Sequence, residues 1–91
     1  FNSFKSGSQG SSTITVNETS HGRSTSDVVR FRNVQPFDGF TSATIQNSSG
    51  YSITKIDDDS YSFTVSSETA TTGNTFGGGK IASAGPVTLS G

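Results

Sequence analysis

Apolar and polar positions alternate most clearly between residues 50 and 66, GYSITKIDDDSYSFTVS. Tyr51 and Ile53 fall on one phase of a first run, and Tyr61, Phe63 and Val65 on one phase of a second. A strand with one buried face repeats every two residues, whereas a helix needs apolar positions three and four apart. The acidic triplet Asp57-Asp58-Asp59 separates the two runs. The stretch therefore predicts two antiparallel strands and a short hairpin loop, with the rest of the chain wrapped around them.

The same period recurs upstream. Residues 12–17 predict a strand with Ile14 and Val16 inward, and residues 19–26 a turn in which Gly22 is free to take positive φ. Residues 27–33 predict a strand with Val29 and Phe31 on one face and Val28, Arg30 and Arg32 on the other. Pro36 lacks a donor and Asp38-Gly39 is a turn dipeptide, so that strand ends there. Residues 40–46 read as a short strand or an irregular crossing, with Ile45 in the core. Residues 67–74 read as a polar, flexible connection, and residues 83–90 as a turn followed by a strand with Val87 and Leu89. Residues 1–11 are Gly/Ser-rich and unpatterned, which predicts an extended N-terminal arm or linker ahead of one domain over residues 12–91. Phe1 and Phe4 are unusual in a solvated linker. They either pack on the domain edge or anchor the chain to a partner. Six or seven short strands in so few residues predict an all-β fold, a small six- to seven-stranded antiparallel barrel or sandwich.

Composition sharpens this picture. Ninety-one residues make one domain with a small core. Roughly a third of the residues are Ser or Thr, and 27% are hydrophobic. A net charge of only -1 and clustered apolar positions argue against disorder. With no Cys there is no disulfide framework and no thiolate chemistry, so stability must come from a compact barrel, a neighbouring domain or an assembly. No basic stripe argues for nucleic acid, and no apolar run approaches the roughly 18 residues of a membrane span. The chain opens on Phe1 without a signal-peptide pattern, and is expected to be a processed product or a piece of a longer protein.

Four features invite a chemical reading. Asp57-Asp58-Asp59 supplies oxygen ligands but lacks the spaced carboxylates of a calcium loop, which favours a solvated hairpin turn. Gly77-Gly78-Gly79-Lys80 is followed by Ile81 and no helix, so a bulge or close backbone crossing fits better than a phosphate loop. His21 is the only histidine and no nucleophile motif accompanies it, so it reads as a hydrogen-bonded turn residue. Arg30 and Arg32 share a strand face and form either a solvated surface or a basic pair for a partner's carboxylate or phosphate. Two glycosylation sequons, at Asn17 and Asn47, are inexpensive matches in a chain so rich in Ser and Thr.

The order STITVN, SHG, DVVRFRNV, FDG, YSITKIDDDSYSFTV and GGGKI resembles a small β domain of tailed-bacteriophage structural proteins. It is similar also to the small β-barrel inserted in ubiquitin-activating enzymes. The resemblance spans about residues 12–83, and departs where that domain has Gly before the strand Asp and this chain has Ser26. It implies a fold and a setting rather than a catalytic site. The expected function is a non-enzymatic virion module of a tail, neck, fibre or capsid decoration. On this reading it needs no cofactor and works in the extracellular particle through other virion proteins or copies of itself. Phe1, Phe4, Arg30 and Arg32 are the candidate contacts. The alternative is a carbohydrate-binding or adhesin module for a host-surface glycan.

Overall fold

A computed structural model describes residues 2–86. Its seven strands are β1 (Asn2–Ser6), β2 (Thr13–Asn17), β3 (Val28–Arg32), β4 (Tyr51–Ser52), β5 (Thr54–Asp57), β6 (Ser60–Thr64) and β7 (Phe76–Ala84). One helical turn, α1 (Ser42–Ile45), stands between β3 and β4. All pairings are antiparallel, in the order β4-β3-β7-β1-β2-β6-β5. The all-β reading is correct, and the sheet curls into a nearly closed barrel.

The inward phase is where the alternation places it. Ile14, Val16, Val29, Phe31, Ile45, Ile53, Tyr61, Phe63 and Val65 are all buried. The predicted hairpin is interrupted, however. The first run breaks at Ile53, so that β4 pairs with β3 and β5 pairs with β6. One apparent strand thus reaches both ends of the sheet, which brings them together.

The remaining seam is closed by the β2–β3 connection, residues 18–27. It runs antiparallel along the free edge of β5. The Glu18 amide donates to Asp59 O (2.8 Å), Lys55 N–H donates to Thr25 Oγ1 (3.0 Å), Ser26 N–H donates to Ile53 O (2.8 Å) and Ile53 N–H donates to Asp27 O (2.9 Å). An open edge would expose unpaired backbone groups, and this irregular strap satisfies them. Ser26 reaches its place with φ 78, in the left-handed region that favours glycine.

The N-terminal segment corrects the sequence reading. Residues 2–6 are not an arm but β1, a strand paired on both sides. Phe4 is fully buried, edge-on to Phe31 (5.4 Å between centroids) and to Phe63 (5.8 Å), with Phe37 tilted beside it (5.8 Å). Aromatic contacts of this kind add to the area that each ring buries. Phe4 therefore packs in the domain and is not a partner contact. Phe1, Val87 and Leu89 lie outside the described residues.

Two further segments differ from expectation. Residues 40–46 form neither a strand nor an irregular crossing, but carry α1, whose N-cap Thr41 Oγ1 accepts from Thr44 N–H. Residues 67–74 are polar but pinned. Asp38 is their anchor: its carboxylate accepts from Ser6 Oγ (2.6 Å), Thr72 N (2.7 Å) and Gly73 N (2.9 Å). The Ser6 hydroxyl, helped by the two amides and opposed by partial burial, holds this carboxyl below its usual range.

The three glycines of β7 act through their missing side chains. Gly78 holds φ +97, and a Cβ there would lie 2.7 Å from both Ile81 Cδ1 and Phe4 Cδ2. The register slips at the same place, between the pairs Asn2↔Ile81 and Phe4↔Gly77. The slip lets β7 leave β1 and continue against β3 as Arg32↔Ala82 and Arg30↔Ala84.

Candidate interaction surfaces

Beneath the strap lies a buried polar cluster that the sequence did not announce. Arg23 is 8% exposed, and its Nη2 pairs with Glu18 Oε2 at 3.1 Å. The Tyr61 hydroxyl donates to Glu18 Oε1 at 2.6 Å, and Ser83 Oγ lies 3.3 Å from the same phenol. Burial, followed by the Glu18 carboxylate as acceptor, pushes the Tyr61 phenol up to about 12. These residues are spread from 18 to 83, and no local spacing marks them as neighbours.

His21 sits at the edge of this cluster as a hydrogen-bonded turn residue. Its Nδ1 accepts from Arg23 N–H (2.9 Å), which leaves the proton on Nε2 to be donated to Asp57 O (2.7 Å). The ring is edge-on to Tyr61, 5.0 Å between centroids. Nε2 thus ties the strap to the hairpin, Nδ1 fixes the strap's own turn, and both nitrogens are engaged.

The acidic turn is likewise engaged from within. Asp57 Oδ1 accepts from Asp59 N (2.9 Å) and from Ser60 Oγ (2.8 Å), and the Asp59 amide and then the Ser60 hydroxyl hold the Asp57 carboxyl below its usual range. Asp59 Oδ1 accepts from Ser20 N (2.9 Å), and Asp58 reaches Lys55 at 3.4 Å. Among the described residues no three His, Cys, Asp or Glu side chains are grouped to hold a metal ion. Gly77–Lys80 are part of β7, which continues as strand to Ala84.

Two outward surfaces remain. Arg30 and Arg32 stand on the outer face of β3, as their phase requires, opposite Ala84 and Ala82 of β7. Phe76 is the residue that sequence reasoning missed. It is 64% exposed at the start of β7, with Lys5 Nζ over its ring at 5.4 Å. Cross-strand pairing continues from Phe76 through Lys5, Thr15 and Ser62 to Thr54, a row of hydroxyls with an aromatic at one end. The slip in β7 is two residues and so preserves its alternation, and Phe76 lies outward by counting back from the inward Ile81. Asn17 and Asn47 are both exposed. No concave pocket occurs among the described residues. Comparison with family models, with curated proteins and with solved structures returned no match to this chain.

Proposed function

We propose that this domain is a non-enzymatic structural module of a tailed-bacteriophage virion, in a tail, neck, fibre or capsid-decoration component, working by protein–protein attachment. The observation that carries the attachment reading is the solvent-facing Phe76 on the outer face of the sheet. Aromatic rings are enriched where proteins meet, and an exposed one offers an anchor that a neighbouring protein can cover. The virion setting rests on the resemblance of the strand and turn order. The test is immunogold electron microscopy of purified phage particles with an antibody to the domain. Labelling at a tail, neck, fibre or capsid surface is expected, and particles free of the domain would overturn the virion reading.

One observation favours the glycan alternative: Phe76 stands beside Lys5, which in turn pairs with Thr15, an aromatic at the end of a polar row. Lys5 already covers one face of the ring, which weakens the case for sugar stacking. A glycan array probed with the wild type and with Phe76→Ala separates the readings. Binding lost with the ring would favour a glycan; no binding by either chain favours attachment.

A further inference from the structure

We propose that the Arg30/Arg32 pair on β3 docks the acidic hairpin turn of a second copy of this chain. This contact rests on the attachment reading and names the partner.

The arginines are two residues apart on one strand face, roughly 7 Å along the strand. Like charges so placed repel, and no carboxylate among the described residues pairs with them. The ion pairs among the described residues are Arg23–Glu18 and Lys55–Asp58, and neither involves β3. Arg30 Nε is buried without an acceptor, while Arg32 Nη1 donates to Phe31 O and leaves its other donors outward. The flanks are small: Ala82 and Ala84 stand opposite on β7, and Gly50 lies beneath the Arg30 stem, where a Cβ would come within 3.2 Å of Cγ. No bulky side chain at these positions screens the guanidinium forks, which match carboxylates bidentately.

The complementary surface is on the same chain. Asp57 and Asp59 are each fixed by a backbone amide, and Asp58 is 91% exposed. Three carboxylates against the single Lys55 leave a surplus of two negative charges, equal and opposite to the arginine pair. Because the turn is held rigid by its own hydrogen bonds, little ordering entropy opposes docking. A two-fold pair makes the contact twice, since each copy offers both surfaces.

The test is sedimentation velocity on the full 91-residue chain, over a concentration series at low and at high salt. The wild type should self-associate reversibly, and salt should weaken it by screening. Arg30→Glu/Arg32→Glu and Asp58→Lys should each weaken association at least about tenfold. Asp58→Lys spares the carboxylates that hold the turn. Circular dichroism checks folding, and Arg30→Gln/Arg32→Gln serves if the reversed pair unfolds. An equimolar mixture of the two variants should recover part of the association, because the intact turn of one meets the intact arginine pair of the other. A wild type that is monomeric at about millimolar concentration in low salt, variants that associate as the wild type does, or a mixture no more associated than either variant alone would each overturn the contact. A monomeric chain found on particles would refute this contact alone. A self-associating chain missing from particles would refute the virion reading alone.

Discussion

Strands β1 and β5 lie three pairings apart in one sheet and are held by different forces. β1 is bonded to β2 on one side and β7 on the other, and its central Phe4 is fully buried among three aromatic rings. β5 is bonded to β6 alone; all four of its residues are exposed, including Ile56 at 55%. Its other edge is held by the strap of residues 18–27 through backbone amides, Thr25, His21 and the Glu18–Arg23–Tyr61 cluster beneath. Apolar burial secures the middle of this barrel, and polar bonds secure its seam. The two should therefore answer to different substitutions.

The largest effect should come from the middle. Phe4→Ala removes a ring from the core and should cost roughly 3–5 kcal/mol, a large part of the stability of so small a domain. Ile56→Ala should change stability by less than about 0.5 kcal/mol. Equal melting points for the two variants would erase the contrast.

The seam should respond next. Arg23→Ala leaves Glu18 mostly buried without its cation, at roughly 2–4 kcal/mol, somewhat below a fully buried pair because Glu18 keeps some solvent. Amide exchange at Ile53 and Lys55, both bonded to the strap, should accelerate before that of β1. Unchanged exchange there would mean that the strap does not hold β5.

Gly78→Ala probes the corner between the two regions. A methyl group at φ +97, against Ile81 and Phe4, should cost roughly 1–3 kcal/mol and loosen β1 more than β5. A loss confined to β5 would place the corner elsewhere.

The pH profile separates two polar anchors. The Asp38 carboxyl is lowered in the native state, so its contribution is complete above the ordinary Asp value of about 3.9 and fades as pH falls through the native one. The Tyr61 phenol is raised, so its contribution is complete below the ordinary value of about 10 and is lost as pH rises toward about 12. In thermal melts Asp38→Asn should flatten the acid limb alone, and Tyr61→Phe the alkaline limb alone.

An effect of opposite sign belongs to Ser26→Gly. A left-handed serine is strained, while glycine loses more entropy on folding, so the net gain should be within about 1 kcal/mol. A lower melting point would show that the Ser26 side chain contributes to the seam.

The sequence by itself determined the class of the fold and most of its inward phase. Alternation in residues 12–17, 27–33 and 50–66 identified Ile14, Val29, Phe63 and their partners, because a strand with one wet face must repeat every two residues. It also indicated that the glycine stretch permits a close crossing and that Arg30 and Arg32 share an outer face. Only the tertiary structure decided the roles of residues 2–6, Arg23 and Phe76. Phe4 lies in a Gly/Ser-rich setting, and its burial comes from strands more than 70 residues away as well as from near ones. Arg23 finds Glu18 nearby, but Tyr61 only across the barrel. Phe76 keeps the outward phase counted back from Ile81, because the slip in β7 is two residues, but its place beside Lys5 follows from the pairing of β7 with β1. Period and propensity are local, whereas pairing and barrel closure depend on which distant segments meet.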